Sequence, residues 1–295
     1  MRRLKRVALV GVGLIGGSFA SALRRAGGVT TIVGVDRDAQ ALERAAALGV
    51  IDTAAESVSE ATQGADLVVV AVPVRSIGPV LHDVALALEP TATVTDVGST
   101  KTEVVQVARE ELRAHFPRFV PGHPIAGREA SGVDAATPEL FKGARIVLTP
   151  GAEAAPDAVD LVRACWEGAG GRVAQISAAD HDRIFAAVSH LPHLLSFALV
   201  SELAARDNSA ELFGFAAGGF RDFTRIAASS PEMWRDIALQ NREALLAELD
   251  RYGARLAVFR ELVDKGDGPG LQRLMAEARA SRQAMGGARR AASSE

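Results

Sequence analysis

The 295-residue chain has a single cysteine, Cys165, so it can form no internal disulfide. It also lacks an excess of either charge. Thirty-three basic and 36 acidic residues leave a formal net charge of −3, too little positive field to hold a nucleic acid backbone or an anionic membrane. The partner expected from this balance is a small molecule. Long hydrophobic runs are missing as well: the longest unbroken one, residues 67–74, includes Pro73 and falls far short of the roughly 20 residues that span a bilayer. The amino terminus runs straight into an apolar strand with no cleavable signal pattern, so a soluble, cytoplasmic protein is expected. What is plentiful is apolar material, 48% of residues against 23% charged, which excludes disorder as the dominant state and suffices for one large domain or two modest ones.

In the first half, short β-branched runs at 7–10, 31–35, 67–72 and 93–97 alternate with amphipathic stretches at 14–25, 39–47, 77–88 and 102–114. This is the pattern of parallel strands joined by crossover helices, and the continuous apolar character of 67–72 suits a sheet covered on both faces. Two further strands are expected at 145–148 and 172–176, flanking a helix that starts after Pro156 and buries Cys165. Beyond Ser177 the strand signals stop, and helices broken by Gly and Pro clusters follow. Two domains are therefore expected, 1–177 and 178–295. In the second, Leu245, Leu249, Tyr252, Leu256, Phe259 and Val263 form a heptad-like seam on one long helix, to be covered either by this chain or by another subunit. A frayed tail is expected after Ala280.

The first predicted strand is followed by Gly11-Val12-Gly13-Leu14-Ile15-Gly16, a GxGxxG that leaves a strand and opens a helix. The first glycine permits a tight turn and the second a close approach of backbone to a pyrophosphate. The third allows helix and strand to touch, while the helix amino terminus offers unpaired N–H groups. Asp36 stands twenty residues past Gly16, where a carboxylate binds both hydroxyls of an adenosine ribose and repels a 2′-phosphate, although Arg37 beside it would partly accommodate that phosphate. NAD is the expected cofactor. Val72 and Pro73, at the end of the third predicted strand, are expected beside it. The fold class that follows is α/β: a Rossmann-type doubly wound parallel sheet, then an all-helical C-terminal domain.

Three clusters carry polar groups with no evident packing role: 96–101, 122–129 and 189–193. A fourth is 220–225, followed by Met233 and Trp234. His123 lies between Gly122 and Pro124, which predicts a non-helical turn, and an imidazole with an ordinary pKa near 6.5 can take an alcohol proton while a hydride leaves the same carbon. Ser99 either hydrogen-bonds that hydroxyl or His123, or caps the helix starting near Thr102. His190 and His193 share a face if helical, but lack the further ligands a metal needs, so substrate contact or capping is expected and no metal is assigned. Arg225 follows Asp222 by three, which fits either a helical ion pair or a fork on a substrate carboxylate. His82, His115 and His181 are assigned no chemistry.

With these residues assembled, the chain resembles the prephenate dehydrogenase family, which includes arogenate and dual-specificity cyclohexadienyl dehydrogenases. The resemblance covers nearly the whole length and is carried by residues 11–18, 96–101, 122–127, 189–193 and 222–225, with Met233 and Trp234. It implies NAD-dependent oxidative decarboxylation of prephenate to 4-hydroxyphenylpyruvate, CO2 and NADH in tyrosine biosynthesis, by a homodimer joined through the helical domain. By the same resemblance His123 accepts the ring hydroxyl proton and Ser99 helps orient it. Arg225 holds the ring carboxylate, His193 lines the pocket together with Asp222 and Trp234, and Glu129 gates its entrance. Arg128 departs from the small hydroxyl residue expected there in several relatives. No appended mutase or regulatory segment is expected, which places any tyrosine inhibition at the active site. Two other readings are a β-hydroxy acid dehydrogenase, which would rely on a lysine base, and an NAD-sensing protein without turnover.

Overall fold

The computed structural model describes residues 3–128 and 130–291. In chain order the first part runs β1 (Leu4–Val10), α1 (Leu14–Arg25), β2 (Val29–Val35), α2 (Ala39–Ala47), β3 (Thr53–Ala54), α3 (Val58–Thr62), β4 (Leu67–Val70), α4 (Ile77–Ala85), β5 (Thr93–Asp96), α5 (Thr102–Leu112), β6 (Phe119–Val120), β7 (Gly122–Ile125), β8 (Arg145–Leu148), α6 (Pro156–Gly168) and β9 (Arg172–Gln175). Six strands make a parallel sheet in the order β3-β2-β1-β4-β5-β6. Both faces of its central strands are dry, because successive apolar side chains alternate between two cores. Val7, Leu9, Leu67 and Val69 meet Phe19 and Trp166 on one side, while Ala8, Val10, Val68 and Val70 meet Leu81, Val104 and Ile237 on the other. Cys165 is buried in the first core, and burial pushes its thiol up to about 12, which leaves it an inert packing residue.

Where the strands end matters more for the site than where they begin. β4 stops at Val70 and β5 at Asp96, one or two residues before the ends expected from apolar runs, because Ala71, Val72 and Val97 leave the sheet to build loops at its carboxyl edge. The later strands do not extend the main sheet. β7 pairs antiparallel with β8, and β8 parallel with β9, in a separate three-stranded sheet of order β7-β8-β9. His123 is therefore in an edge strand and not in the turn its neighbours suggested. The residue before a proline is driven to extended backbone, and an edge strand tolerates Pro124, which has no N–H to contribute. Helix α5 closes at Leu112, ahead of the expected 114. Arg113 adopts φ 48°, and a 3-10 segment through Pro117 follows.

From Ser177 the elements are helical: α7 (Ala178–Phe185), a π turn (Ala186–His190), α8 (Leu191–Ala204), α9 (Ser209–Gly214), α10 (Gly218–Thr224), α11 (Pro231–Gln240), α12 (Arg242–Asp264) and α13 (Gly268–Ala291). The stretch 178–204 is continuous and, by length and composition, apolar enough to cross a membrane. Within it His181 and Asp182 are buried against polar partners from β7 and the start of α5, and His190 against Asn241. Contacts divide the chain into two compact units, Met1–Leu245 and Leu246–Glu295. In the second unit the heptad seam is open: Tyr252, Leu256 and Val263 are exposed and Phe259 is half-buried.

Candidate active site

The carboxyl ends of β1, β4 and β5 are level, with Val10 paired to Val70 and Val70 to Asp96, and the strand order reverses between β1 and β4. A crevice at such a switch point is where open α/β sheets bind ligands. The three glycines differ in what surrounds them. Gly11 has φ +94°, and a Cβ there would lie 2.3 Å from the Ala71 carbonyl oxygen; a Cβ on Gly16 would lie 2.2 Å from the Gly11 oxygen. Gly13, by contrast, faces nothing within 4 Å and caps α1 without a side-chain bond, so the space and the first-turn amides suit a pyrophosphate. Leu14 and Ile15 form that first turn, half-buried. The Asp36 carboxylate accepts hydrogen bonds from the amides of Val12, at 2.9 Å, and Asp38, at 3.1 Å, which hold it over the glycine turn. Arg37 is exposed beside it, Val72 borders Gly11, and Pro73 follows at the surface.

One loop further along the sheet edge, a buried ion pair braces the next turn. Lys101 and Asp96 are both fully buried and bonded to one another. Burial depresses the Lys101 pKa, and the charge and hydrogen bond of Asp96 oppose that fall. Lys101 Nζ also donates to the Gly122 carbonyl at 2.8 Å, while Asp96 accepts from the amides of Gly98, at 2.7 Å, and Gly122, at 3.2 Å. The pair thus ties the 97–100 turn, which carries half-buried Ser99, to the start of the strand that carries His123. Helix α5 is capped from a distance: the Asp182 carboxylate takes the amides of Lys101 and Thr102, each at 2.8 Å, and Ser99 caps nothing.

His123 Nδ1 lies 2.8 Å from His181 Nε2, and His181 Nδ1 lies 2.8 Å from Asp182 Oδ1. Phe185 packs on both rings, 5.0 Å from His123 and 4.5 Å from His181 between centroids. Burial, helped by the neighbouring His181, Lys101 and His190, holds the His123 pKa well below its ordinary value, so the ring is a neutral base. Burial also lowers His181, against the pull of Asp182. The Asp182 carboxyl is pushed up by burial, but hydrogen bonds from His181 and from the Thr102 and Lys101 amides outweigh this and keep it ionised. Asn241 Nδ2 extends the network, donating to the Asp182 carbonyl at 2.8 Å and to His190 Nδ1 at 3.0 Å.

His193 continues this line toward the surface. Its Nδ1 donates to the Ser189 carbonyl at 2.9 Å, and its ring stacks on Trp234 with centroids 3.6 Å apart. Burial lowers its pKa, and the Arg225 charge nearby lowers it further. Trp234 is buried with its indole N–H unpaired by protein, an unmet donor beside His193. Arg225 opens the 3-10 turn after α10, where it and Asp222 are exposed, and both segments pack on α8. Arg128 is exposed, and Glu129 lies outside the described residues.

The structure thus brings His123, His193, Arg225 and Trp234 into one line of neighbours at the sheet edge that also carries Ser99 and the glycine turn. Sequence reading placed Asp96 and Lys101 in a polar cluster without giving either a role, and missed Asp182 and above all His181. The available signal for His181 was its i, i+4 spacing to Phe185, which puts it on the buried face of α7.

Comparison with known proteins gives the family. Residues 19–175 match the model of the prephenate dehydrogenase nucleotide-binding domain, and residues 177–277 that of the prephenate dehydrogenase dimerization domain. A cyclohexadienyl dehydrogenase of Zymomonas mobilis is 36% identical over 97% of both chains. The structure of prephenate dehydrogenase from A. aeolicus in complex with hydroxyphenyl propionate and NAD+ superposes with a TM-score of 0.89 at 37% identity, covering 95% of this chain and 98% of that one. That of Synechocystis arogenate dehydrogenase gives 0.81 at 33% identity, covering 95% and 99%. A helical second half built onto an NAD-binding Rossmann sheet is common to the family models and the fold. The chain belongs to the prephenate dehydrogenase family of NAD-dependent oxidoreductases of aromatic amino acid biosynthesis.

Proposed function

We propose that the protein catalyses the oxidative decarboxylation of prephenate to 4-hydroxyphenylpyruvate and CO2, with NAD as oxidant. The observation that carries this is the neutral, part-exposed His123, whose strand is tied by Lys101 and Asp96 to the carboxyl end of β5 and whose ring feels His190, itself a neighbour of His193, which in turn feels Arg225. Bound at Gly11–Gly16 and Asp36, NAD supplies the hydride acceptor. His123 Nε2 accepts the ring hydroxyl proton, and Ser99, on the turn that Lys101 and Asp96 tie to the His123 strand, orients that hydroxyl. Arg225 offers a planar fork to the ring carboxylate, while His193 stacked on Trp234 forms a flat wall whose bare Nε2 can accept a hydrogen bond from the substrate. The substrate's own gain of aromaticity drives the loss of CO2, so the protein's task is to position, deprotonate and grip.

Asp222 and Glu129 belong, on this reading, to the rim around Arg225. The functional boundary falls near residue 177, where the two family models meet. The exposed seam of Tyr252, Leu256 and Val263 forms the contact of a cytoplasmic homodimer. The relative named cyclohexadienyl dehydrogenase favours a second reading, in which arogenate is used as well. NADH absorbance with NAD and either prephenate or arogenate, each repeated with NADP, separates these readings. Turnover of prephenate alone supports the first and of both the second. Turnover of neither, by protein that still binds NAD, overturns both.

A further inference from the structure

We infer that His181 and Asp182 are positioning residues for the base, fixing the tautomer of His123 and sharing the proton it accepts. This rests on the reading of His123 as the base. The argument is a proton count along one hydrogen-bonded chain. Asp182 is ionised and already accepts from two backbone amides, so toward His181 it can only accept, and His181 Nδ1 must carry a hydrogen. A neutral His181 then presents a bare Nε2, and the 2.8 Å contact requires His123 Nδ1 to donate. That leaves the lone pair of His123 on Nε2, the nitrogen free of this chain. Without the pair, a histidine in a strand has no reason to choose that tautomer.

The same chain gives the proton somewhere to go. The substrate O–H bond breaks with its electron pair left on oxygen, and the proton bonds to His123 Nε2. The Nδ1 proton of His123 passes to His181 Nε2, so His123 returns to neutral and His181 becomes the imidazolium, directly against the Asp182 carboxylate. After product leaves, the reverse transfer returns the proton through Nε2 to solvent. Taken together, the other charged and titratable groups facing the two rings make this location preferable. Lys101 opposes positive charge on both rings and His190 opposes it on His123, whereas Asp182 and Asp96 favour it on His181. The sequence offers no hint of this, since His123 and His181 are 58 residues apart.

Nitrogen-15 NMR of the histidines in the free enzyme tests the tautomer without substrate. The expected spectrum has the hydrogen on Nδ1 of both His123 and His181; a hydrogen on Nε2 of His123 overturns the inference even if His123→Asn is inactive. Conversely, an active His123→Asn removes the base itself. His181→Gln keeps an acceptor for His123 Nδ1 but cannot take a proton. It is expected to retain the His123 tautomer, lower kcat about tenfold and move the acidic limb of the kcat/KM profile to lower pH by about one unit, with KM little changed. His181→Leu, folded, should also lose the tautomer and cost about a hundredfold in kcat. Wild-type kcat and pH profile in His181→Gln would show that no proton is shared.

Discussion

His123 and Arg225 are held in opposite ways. His123 stands at the end of a chain of buried partners, His181, Asp182 and the amides that open α5, with the Lys101–Asp96 pair bracing its strand from below. Arg225 is exposed on a 3-10 turn among residues that are themselves exposed or half-buried, such as Asp222, Phe223 and Ile226. On the proposed function His123 is the base, which must meet one proton at one angle, so its surroundings are fixed before substrate arrives. A group that grips a carboxylate also has to let substrate in and product out, and a site on a short surface turn can do so. The contrast predicts that mutations on the buried side cut kcat or stability, and mutations on the rim cut binding.

The largest effect should come from His123 itself. His123→Asn is expected to keep NAD affinity while kcat falls by about 10²- to 10⁴-fold, measured by isothermal titration with NAD and by steady-state NADH production. Next is the brace. Lys101→Met leaves Asp96 buried with no counter-charge, and breaking a buried pair in this way costs about 3–5 kcal/mol. A drop of many degrees in the thermal midpoint is expected, and an unchanged midpoint would mean that the pair does not organise this edge of the sheet.

The same dry surroundings set an acid limit. Burial brings His190 from an ordinary 6.5 to about 4, and burial also lowers His123 and His181. A group whose folded pKa is depressed binds more protons when unfolded, so its stability contribution is complete above about pH 6.5 and is lost as pH falls toward 4. For His190 alone this amounts to roughly 3 kcal/mol. The thermal midpoint should therefore fall steeply across that window, and less steeply in His190→Asn. On the rim, Arg225→Ala should raise KM by about 10- to 100-fold with a smaller change in kcat, since a charge-assisted carboxylate contact is common to ground and transition states. A fall in kcat with KM unaltered would place Arg225 on the buried side of the comparison.

These differences also explain what the sequence could and could not reveal. The glycine turn was legible because everything it requires is local: strand, Gly11, Gly13, Gly16, helix, then Asp36 at the end of the next strand. His123 was legible as a polar residue fixed by its Gly and Pro neighbours, though its place on an edge strand depends on pairing with residues 145–148, which no local pattern announces. Lys101 was legible only as one of a polar cluster, because its brace reaches Gly122 on another strand, and Asp182 was not legible, because it caps a helix that begins 80 residues earlier. His181, in a helix-like and locally polar context, drew no chemical role from the sequence; only folding shows that the polar neighbour Asp182 turns inward with it.

The smallest expected effect checks that burial, and not the mere presence of a histidine and a carboxylate, makes the difference. His82 Nδ1 lies 2.9 Å from Glu111, much as His181 lies from Asp182, but its side chain is 59% exposed on α4. An exposed pair gains little Coulomb energy, loses side-chain entropy and is screened by salt, so the median such pair contributes at most about 1 kcal/mol. His82→Ala should leave kcat and KM unchanged and shift the thermal midpoint by no more than a few degrees, with the shift shrinking in high salt. A loss as large as that of Lys101→Met would mean that the α4–α5 surface bears on the active site, and that the division between a rigid buried side and a tolerant exterior is drawn in the wrong place.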